Sequence, residues 1–332
     1  MSTSWALCPR SVPPPTSQLV LRGAGTGRDE AAQVAGVRAG ERRDAVLPPL
    51  SATGTLISLR THRGRVLTPA ELVEGGTVPA GLLPVLRALV ERRANVLVSG
   101  ATGSGKTTLL AAMLSLVGHG ERIVCIEESA ELRPDHPHVV HLQVRRANVQ
   151  HVGEVPLAEL VRAAMRMRPD RIVLGECRGA EVRDVLGALN TGHDGGWATV
   201  HANTSADVPA RLVALGALAG MTGATMTAQA VSALDAVVHL RRDDAGVRRL
   251  AEIGVLERAE DELVCRPALT VDGGGTVTRG PSWSRLAARL GLADPVHGAT
   301  PDGSPPPAAG PPQRPSARDG RWPRRARAPA SG

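Results

Sequence analysis

Lys106 is the one lysine in a chain of 332 residues, where every other long basic side chain is arginine. It stands in Gly100-Ala101-Thr102-Gly103-Ser104-Gly105-Lys106-Thr107-Thr108, which matches G-x-x-x-x-G-K-[ST], the pattern of a loop that wraps phosphates. Glycines at 100, 103 and 105 let backbone N–H groups turn inward toward an anion without Cβ clashes. The apolar stretch that follows predicts a helix, whose positive dipole end would face the same phosphates. Lys106 would then bridge the β- and γ-phosphates of a nucleotide, and the Thr107 hydroxyl would take a Mg²⁺ position. A compact, flexible ammonium suits that task better than a planar guanidinium.

Hydrolysis of such a nucleotide needs a carboxylate near the metal, a group to orient water, and cations for the charge developing on the γ-phosphate. Glu176 follows Ile172-Val173-Leu174-Gly175 and is assigned to the Mg²⁺ shell, with Gly175 permitting close approach. Glu127 and Glu128 end another apolar run, and Glu131 lies one helical turn on. One of these three is the candidate for polarising water; the competing reading of each is a helix N-cap or a solvated strand end. His193 and His201, eight residues apart around a Gly-rich turn, lack zinc spacing. As neutral imidazoles they could contact the γ-phosphate or the water, or simply be hydrogen-bonded histidines.

The elements that must hold these groups alternate. Buried strands are expected at Asn95-Val96-Leu97-Val98, Arg122 to Ile126, Val139 to Val144, Ile172 to Leu174 and Ala198 to Val200. Helices are expected from Leu109 and over Leu82 to Arg92 and Leu157 to Met167, the last stopped by Arg168-Pro169-Asp170. Thr68, Pro69 and Glu71 read as a capping box. This alternation predicts an α/β fold with a mostly parallel sheet, its functional groups at the strands' C-terminal ends. Further on, Asp243-Asp244-Ala245-Gly246 signals a hairpin, and Trp283 to Leu290 a last short helix.

Composition limits the alternatives. Tyr and Phe are absent, so a bound base must be held by aliphatic or Arg contacts. The net charge of +7 sits in residues 1–43 and 301–332, leaving the body neutral, which argues against a nucleic-acid-binding surface. Cys8, Cys125, Cys177 and Cys265 show no metal or redox spacing, and a reducing, cytoplasmic location is expected. Cys125 and Cys177 are read as lying within apolar strands. Residues 212–234 carry no charge, but Gly220 to Gly223 reads as a turn between two helices rather than the middle of a membrane span.

Five ordered motifs carry a resemblance. They are the phosphate loop, Ile126-Glu127-Glu128-Ser129-Ala130-Glu131-Leu132, Met165 to Ile172, Gly175-Glu176-Cys177-Arg178-Gly179-Ala180-Glu181, and Asn190 to Asn203 with its two histidines. Together they resemble the type II/IV secretion ATPases, and among these the Tad-type (Flp) pilus-assembly motors. The resemblance implies a RecA-like P-loop core over residues 93–256, Mg-dependent ATP hydrolysis, and a homo-hexamer working on inner-membrane platform proteins, peripheral to that membrane. It implicates Glu127 or its neighbour as catalytic, Glu176 as the second-motif glutamate, and His193 and His201 as the histidine box. Arg145 and Arg178 would complete the site as cations, and Arg60 would reach the phosphates.

The chain departs from the family pattern in two places. The family usually reads Glu-Asp at Glu127-Glu128, and only Asp44 to Arg60 resembles its N-terminal domain. Residues 1–43 are therefore expected to be unmatched and disordered, 44–92 a remnant and linker, 257–297 a small extension, and 298–332 a disordered tail. A chain so organised is expected to be mainly monomeric and a slow ATPase. Rival readings are a RecA-like nucleic-acid motor, a small-molecule kinase, and a truncated protein that binds ATP without turnover.

Overall fold

The computed structural model describes residues 65–145, 153–243 and 245–292 in full. It also describes residues 51 and 54 and the backbone of strands β1 (Ala6–Leu7), β2 (Gln18–Gly23), β3 (Arg42–Val46) and β4 (Thr55–Arg60). These four strands form one antiparallel sheet in the order β1-β2-β4-β3. Strands β1 and β2 lie within residues 1–43, a segment expected to be disordered. The short apolar run Leu19-Val20-Leu21 pairs with Ile57-Ser58-Leu59, a long-range match that flanking Pro and Gly hide from a local reading.

The remainder is organised on a nine-stranded sheet. In chain order its strands are β5 (Val96–Gly100), β6 (Ile123–Glu127), β7 (Val139–Gln143), β8 (Arg171–Leu174), β9 (Trp197–Val200), β10 (Ala236–Arg242), β11 (Arg248–Ala259), β12 (Glu262–Val271) and β13 (Val277–Arg279). The spatial order is β13-β12-β11-β10-β5-β9-β8-β6-β7. The six strands from β10 to β7 run parallel; β11, β12 and β13 are added antiparallel.

Helices α1 (Pro69–Glu74), α2 (Leu83–Glu91), α3 (Lys106–Leu114) and α8 (Trp283–Leu290) supply side chains to one core. Helices α4 (Leu157–Met165), α5 (Val182–Leu189), α6 (Val208–Leu218) and α7 (Gly223–Ala233) supply the other. Because the sheet separates them, neighbouring residues go opposite ways: Val96 and Val98 join the first core and Leu97 the second. Strands covered on both faces are mostly apolar, which is why β5, β6, β8 and β9 read as nearly continuous runs.

Residues 257–292 are not a separate extension. A boundary at 256 would cut β11, whose hairpin with β12 continues the main sheet, and α8 packs on β12 and α2. Cys177 also lies past the end of β8 rather than within it, although it is buried. The Thr68–Glu71 capping box forms as expected. No single helix among the described residues is long and apolar enough to cross a membrane; α6, extended by its preceding turn, and α7 meet at a bend of 118°. The tail at 298–332 lies outside the described residues.

At the edge formed by the N-terminal ends of the parallel strands, Arg171 is 2 % exposed and grips Glu121 with Nε and Nη2 at 2.9 and 3.1 Å. Its Nη2 also donates to Val90 O at 3.0 Å. That network stiffens one end of the sheet and leaves the opposite, C-terminal end for chemistry.

Candidate nucleotide-phosphate site

Strand β5 delivers the chain to Gly100, whose φ of 149° only glycine adopts readily. A Cβ there would sit 2.4 Å from Leu240 O and 2.5 Å from Ser104 Oγ. Gly103 and Gly105 also take positive φ, at 75° and 100°, and Gly105 caps α3 in the left-handed region. The first turn of α3 starts at Lys106, so its unsatisfied N–H groups face the loop.

Lys106 is buried. Its Nζ donates to Gly100 O at 2.8 Å and Ala101 O at 3.0 Å. Burial lowers its pKa to about 8; the Arg178 charge pushes the same way and Glu176 opposes. The ammonium is thus held against the loop by two carbonyls that an anion can outcompete.

Three other groups lie near it, and one of them, His201, contacts it. His201, just past β9, places Nδ1 3.5 Å from Lys106 Nζ and 3.4 Å from Thr102 Oγ1. Its Nε2 lies 2.9 Å from Glu176 Oε1. Arg178 grips the same carboxylate with Nε at 2.6 Å and Nη2 at 2.7 Å, and donates from Nη1 to Glu128 Oε2 at 3.1 Å. Burial raises the Glu176 pKa, but the Arg178 hydrogen bond and the charges of His201, Arg178 and Lys106 outweigh it, and the carboxyl is held below its usual range. Burial, aided by Lys106, lowers His201 and keeps the imidazole neutral near pH 7.

Glu127, 5 % exposed, lies beneath this layer. Its Oε1 accepts the backbone N–H of Glu131 at 3.0 Å and Leu132 at 2.9 Å, tying down the acidic segment. Its Oε2 has no hydrogen-bond partner; His141 Nδ1 is 3.9 Å away. A Cβ on Gly175 would lie 2.8 Å from Glu127 Cγ, so glycine lets the two strand ends close over each other.

The structure gathers Lys106, Thr102, Glu128, Glu176, Arg178 and His201, with Thr107 and Thr108 half-buried in the first turn of α3. It does not bring His193 or Arg145 to them. His193 precedes β9, its Nδ1 3.3 Å from Ala188 O, so four strand residues (roughly 13 Å) separate it from His201. Arg145 follows β7, the outermost strand, in an isolated bridge to Val155. Arg60 ends β4, and its side chain lies outside the described residues.

One further contact at the loop has no motif to signal it. Arg248 at the start of β11 donates from Nε to Gly103 O at 2.8 Å and lays its stem against Gly105. The hairpin signal was legible; the pairing of Leu240 with Gly100, which swings that hairpin beside the loop, was not.

The residues present fit a nucleotide and Mg²⁺. The cradle carries N–H donors and one lysine, while a hydroxyl and carboxylates suit a hard cation that binds through few protein oxygens and substrate phosphates. No cluster of three or more His, Cys, Asp or Glu able to enclose a metal occurs among the described residues.

Residues 34–262 match the profile of the family described as Type II/IV secretion system protein. The chain belongs to this family. A protein of Mycobacterium tuberculosis, provisionally named for conjugal transfer, is 53 % identical over 222 residues, covering 67 % of this chain and 63 % of that one. The conjugal transfer protein TrbB of Rhizobium radiobacter is 32 % identical over 64 % of each chain. The type IV secretion system protein PtlH of Bordetella pertussis is 36 % identical over 63 % of this chain and 70 % of its own. The matched segment thus spans about 63 % of the mycobacterial relative's length. Among solved structures, the VirB11 ATPase of Brucella suis aligns with 65 % of this chain and 71 % of its own, at 26 % identity and a TM-score of 0.43.

Proposed function

We propose that the chain is a Mg-dependent ATPase that serves as the motor subunit of a type II/IV secretion or Tad-type pilus-assembly system. The observation that carries this is the convergence of Lys106, Glu176, Arg178 and His201 on one phosphate loop. Thr107 directly, and Glu176 through water, would hold Mg²⁺, which would neutralise charge between the β- and γ-phosphates. Entry of those phosphates would draw Lys106 off the Gly100 and Ala101 carbonyls. Glu176, with its neighbours as counter-charges, would orient the attacking water, and Glu127 would keep the acidic segment in register beneath it. Relatives named for conjugal transfer and type IV secretion support a role in moving macromolecules across an envelope.

His193 and Arg145 lie away from the loop in their own chain, as expected if a neighbouring copy in a ring completes the site. Platform proteins of the inner membrane would be the partners, with the ATPase peripheral on the cytoplasmic side. Phosphate release from ATP, followed with and without Mg²⁺ over a range of protein concentrations, tests the reading. Specific activity should rise with concentration as copies assemble. Absence of Mg-dependent phosphate release at every concentration, with ADP still bound, would leave a nucleotide-binding protein without turnover. Stimulation by DNA that collapses as salt rises would favour the nucleic-acid motor instead.

A further inference from the structure

Glu181 ends the motif that carries Glu176 and Arg178, and it is 7 % exposed, directly before α5. Its Oε1 accepts the backbone N–H of Arg178 at 2.6 Å and that of Gly179 at 2.8 Å. One carboxylate oxygen thus gathers two successive amides, and the chain between them and Glu181 turns back on itself. A Cβ on Gly179 would stand 3.0 Å from Oε2 of the same carboxylate, so glycine at 179 leaves this bracket its room. Hydrogen bonds from amides to a charged acceptor are among the stronger ones a chain makes, and here the acceptor is shielded from water.

The bracket fixes the residue that the site depends on. Upstream, Gly175 N donates to Ile126 O at 2.8 Å, and the Thr199 hydroxyl donates to Gly175 O at 2.6 Å. Cys177 N donates to Thr199 O at 2.8 Å. Those ties hold Glu176 in place from the strand side. Beyond Cys177 comes Arg178, whose amide is held by Glu181. Its guanidinium must then reach carboxylates on two strand ends, Glu176 after β8 and Glu128 after β6. The Arg178 side chain is 49 % exposed, so packing leaves its rotamer open and the placement of its backbone decides which carboxylates it meets. We propose that Glu181 is a positioning residue: by bracketing the Arg178 and Gly179 amides it sets the guanidinium between Glu176 and Glu128. It touches no reacting atom and acts through Arg178. A carboxylate that merely starts α5, by reaching back as in a capping box, would show itself differently.

The effect on turnover rests on the ATPase reading; the placement of Arg178 does not, so each has its own measurement. In the full wild-type chain the Nε–H of Arg178 donates to Glu176 at 2.6 Å. Its ¹H–¹⁵N signal, identified by its loss in Arg178→Met, should exchange slowly with water. Glu181→Ala removes the acceptor, Glu181→Asp draws it back by a methylene, and Glu181→Gln keeps a neutral oxygen in place. Exchange at Arg178 Nε should rise about fivefold or more in the Ala and Asp variants, as loss of a hydrogen-bonded support implies, and less in Gln. ATP turnover should follow the same order, with kcat about tenfold lower in Ala and Asp, as misplacement of a supporting group causes. ADP affinity should stay within about threefold, because the phosphate loop is untouched. A double-mutant cycle separates the two roles: in an Arg178→Met background, adding Glu181→Ala should lower kcat by less than about twofold, since the group it positions is gone. An independent role in starting α5 would cost the same factor in both backgrounds. Should the Ala variant fail to fold, Glu181→Asp takes its place in the cycle. Free exchange of the Arg178 Nε signal in wild type, an unchanged rate in the Asp variant, or an additive cycle overturns the proposal. A wild-type protein without turnover would refute the ATPase reading, while the exchange measurement would still test the positioning.

Discussion

His201 turns its two ring nitrogens to opposite charges: Nε2 sits 2.9 Å from Glu176 Oε1, and Nδ1 faces Lys106 Nζ at 3.5 Å. A carboxylate can only accept, so Nε2 carries the proton and the Nδ1 lone pair faces the ammonium. The neutral imidazole thereby separates the lysine from the carboxylate and lets both stay charged in a half-buried site. Phosphate entry would replace that arrangement with a direct Lys106–phosphate contact.

The first prediction follows from the depressed lysine. With a pKa of about 8, Lys106 is charged below that pH and loses its proton above it. Phosphates bind the charged form, so ADP affinity should hold from pH 6.5 to 7.5 and fall as pH rises through about 8. At a pH more than one unit above the pKa the loss should reach on the order of tenfold. Fluorescence titration with a labelled ADP reads this directly, and a flat profile to pH 9.5 would refute the assignment of Lys106 as the phosphate cation.

Glu176→Gln should retain nucleotide binding and lose at least a hundredfold in turnover, the order expected for a lost preorganised charge. It also removes the neighbour that raises the Lys106 pKa, so the midpoint of the ADP profile should move to lower pH. Glu127→Gln should leave that midpoint unmoved while impairing turnover, because Glu127 acts through the backbone of Glu131 and Leu132. Binding titrations and phosphate release on both variants separate the two roles.

Gly175→Ala is expected to be costly despite adding one methyl group. That methyl would sit 2.8 Å from Glu127 Cγ between two strand ends that cannot part without moving Glu176. Overpacking of this kind costs about 1–3 kcal/mol, and thermal unfolding should show it as a drop of several degrees. Turnover should fall further than stability alone explains. Unchanged melting and activity would mean that the strand ends have slack.

Much of this was legible from residue types. The phosphate loop, Glu176 and His201 announced themselves because each stands at the end of an apolar run, and parallel strands end on one edge. His193 does not follow this rule: the strand expected between it and His201 carries the two imidazoles to opposite edges. Strands β12 and β13 escaped notice because Arg266, Pro267 and the exposed glycines of the turn interrupt any period-2 pattern. Arg248 could not be read at all, since its importance depends on β10 lying beside β5, a pairing across 140 residues.

Arg248 supports a last prediction. Its Nε donates to Gly103 O at the loop apex, and its stem covers Gly105 at the start of α3. Holding that carbonyl outward keeps the neighbouring N–H groups turned toward the anion, so the arginine preorganises the loop from behind. Arg248→Met keeps the stem and removes the donor; Arg248→Lys moves the donor past the carbonyl; Arg248→Ala removes both. Loss of one charge-assisted hydrogen bond is worth about 1.5–3 kcal/mol at most, so ADP should bind roughly tenfold more weakly to the Met and Lys variants, and more weakly still to Ala. Saturating ATP should restore most of the turnover, because the bound phosphates themselves order the loop. Calorimetric titration of the three variants decides it. Met binding ADP as tightly as wild type would show that Arg248 contributes packing alone, and kcat falling while affinity holds would place it in the chemistry instead of the cradle.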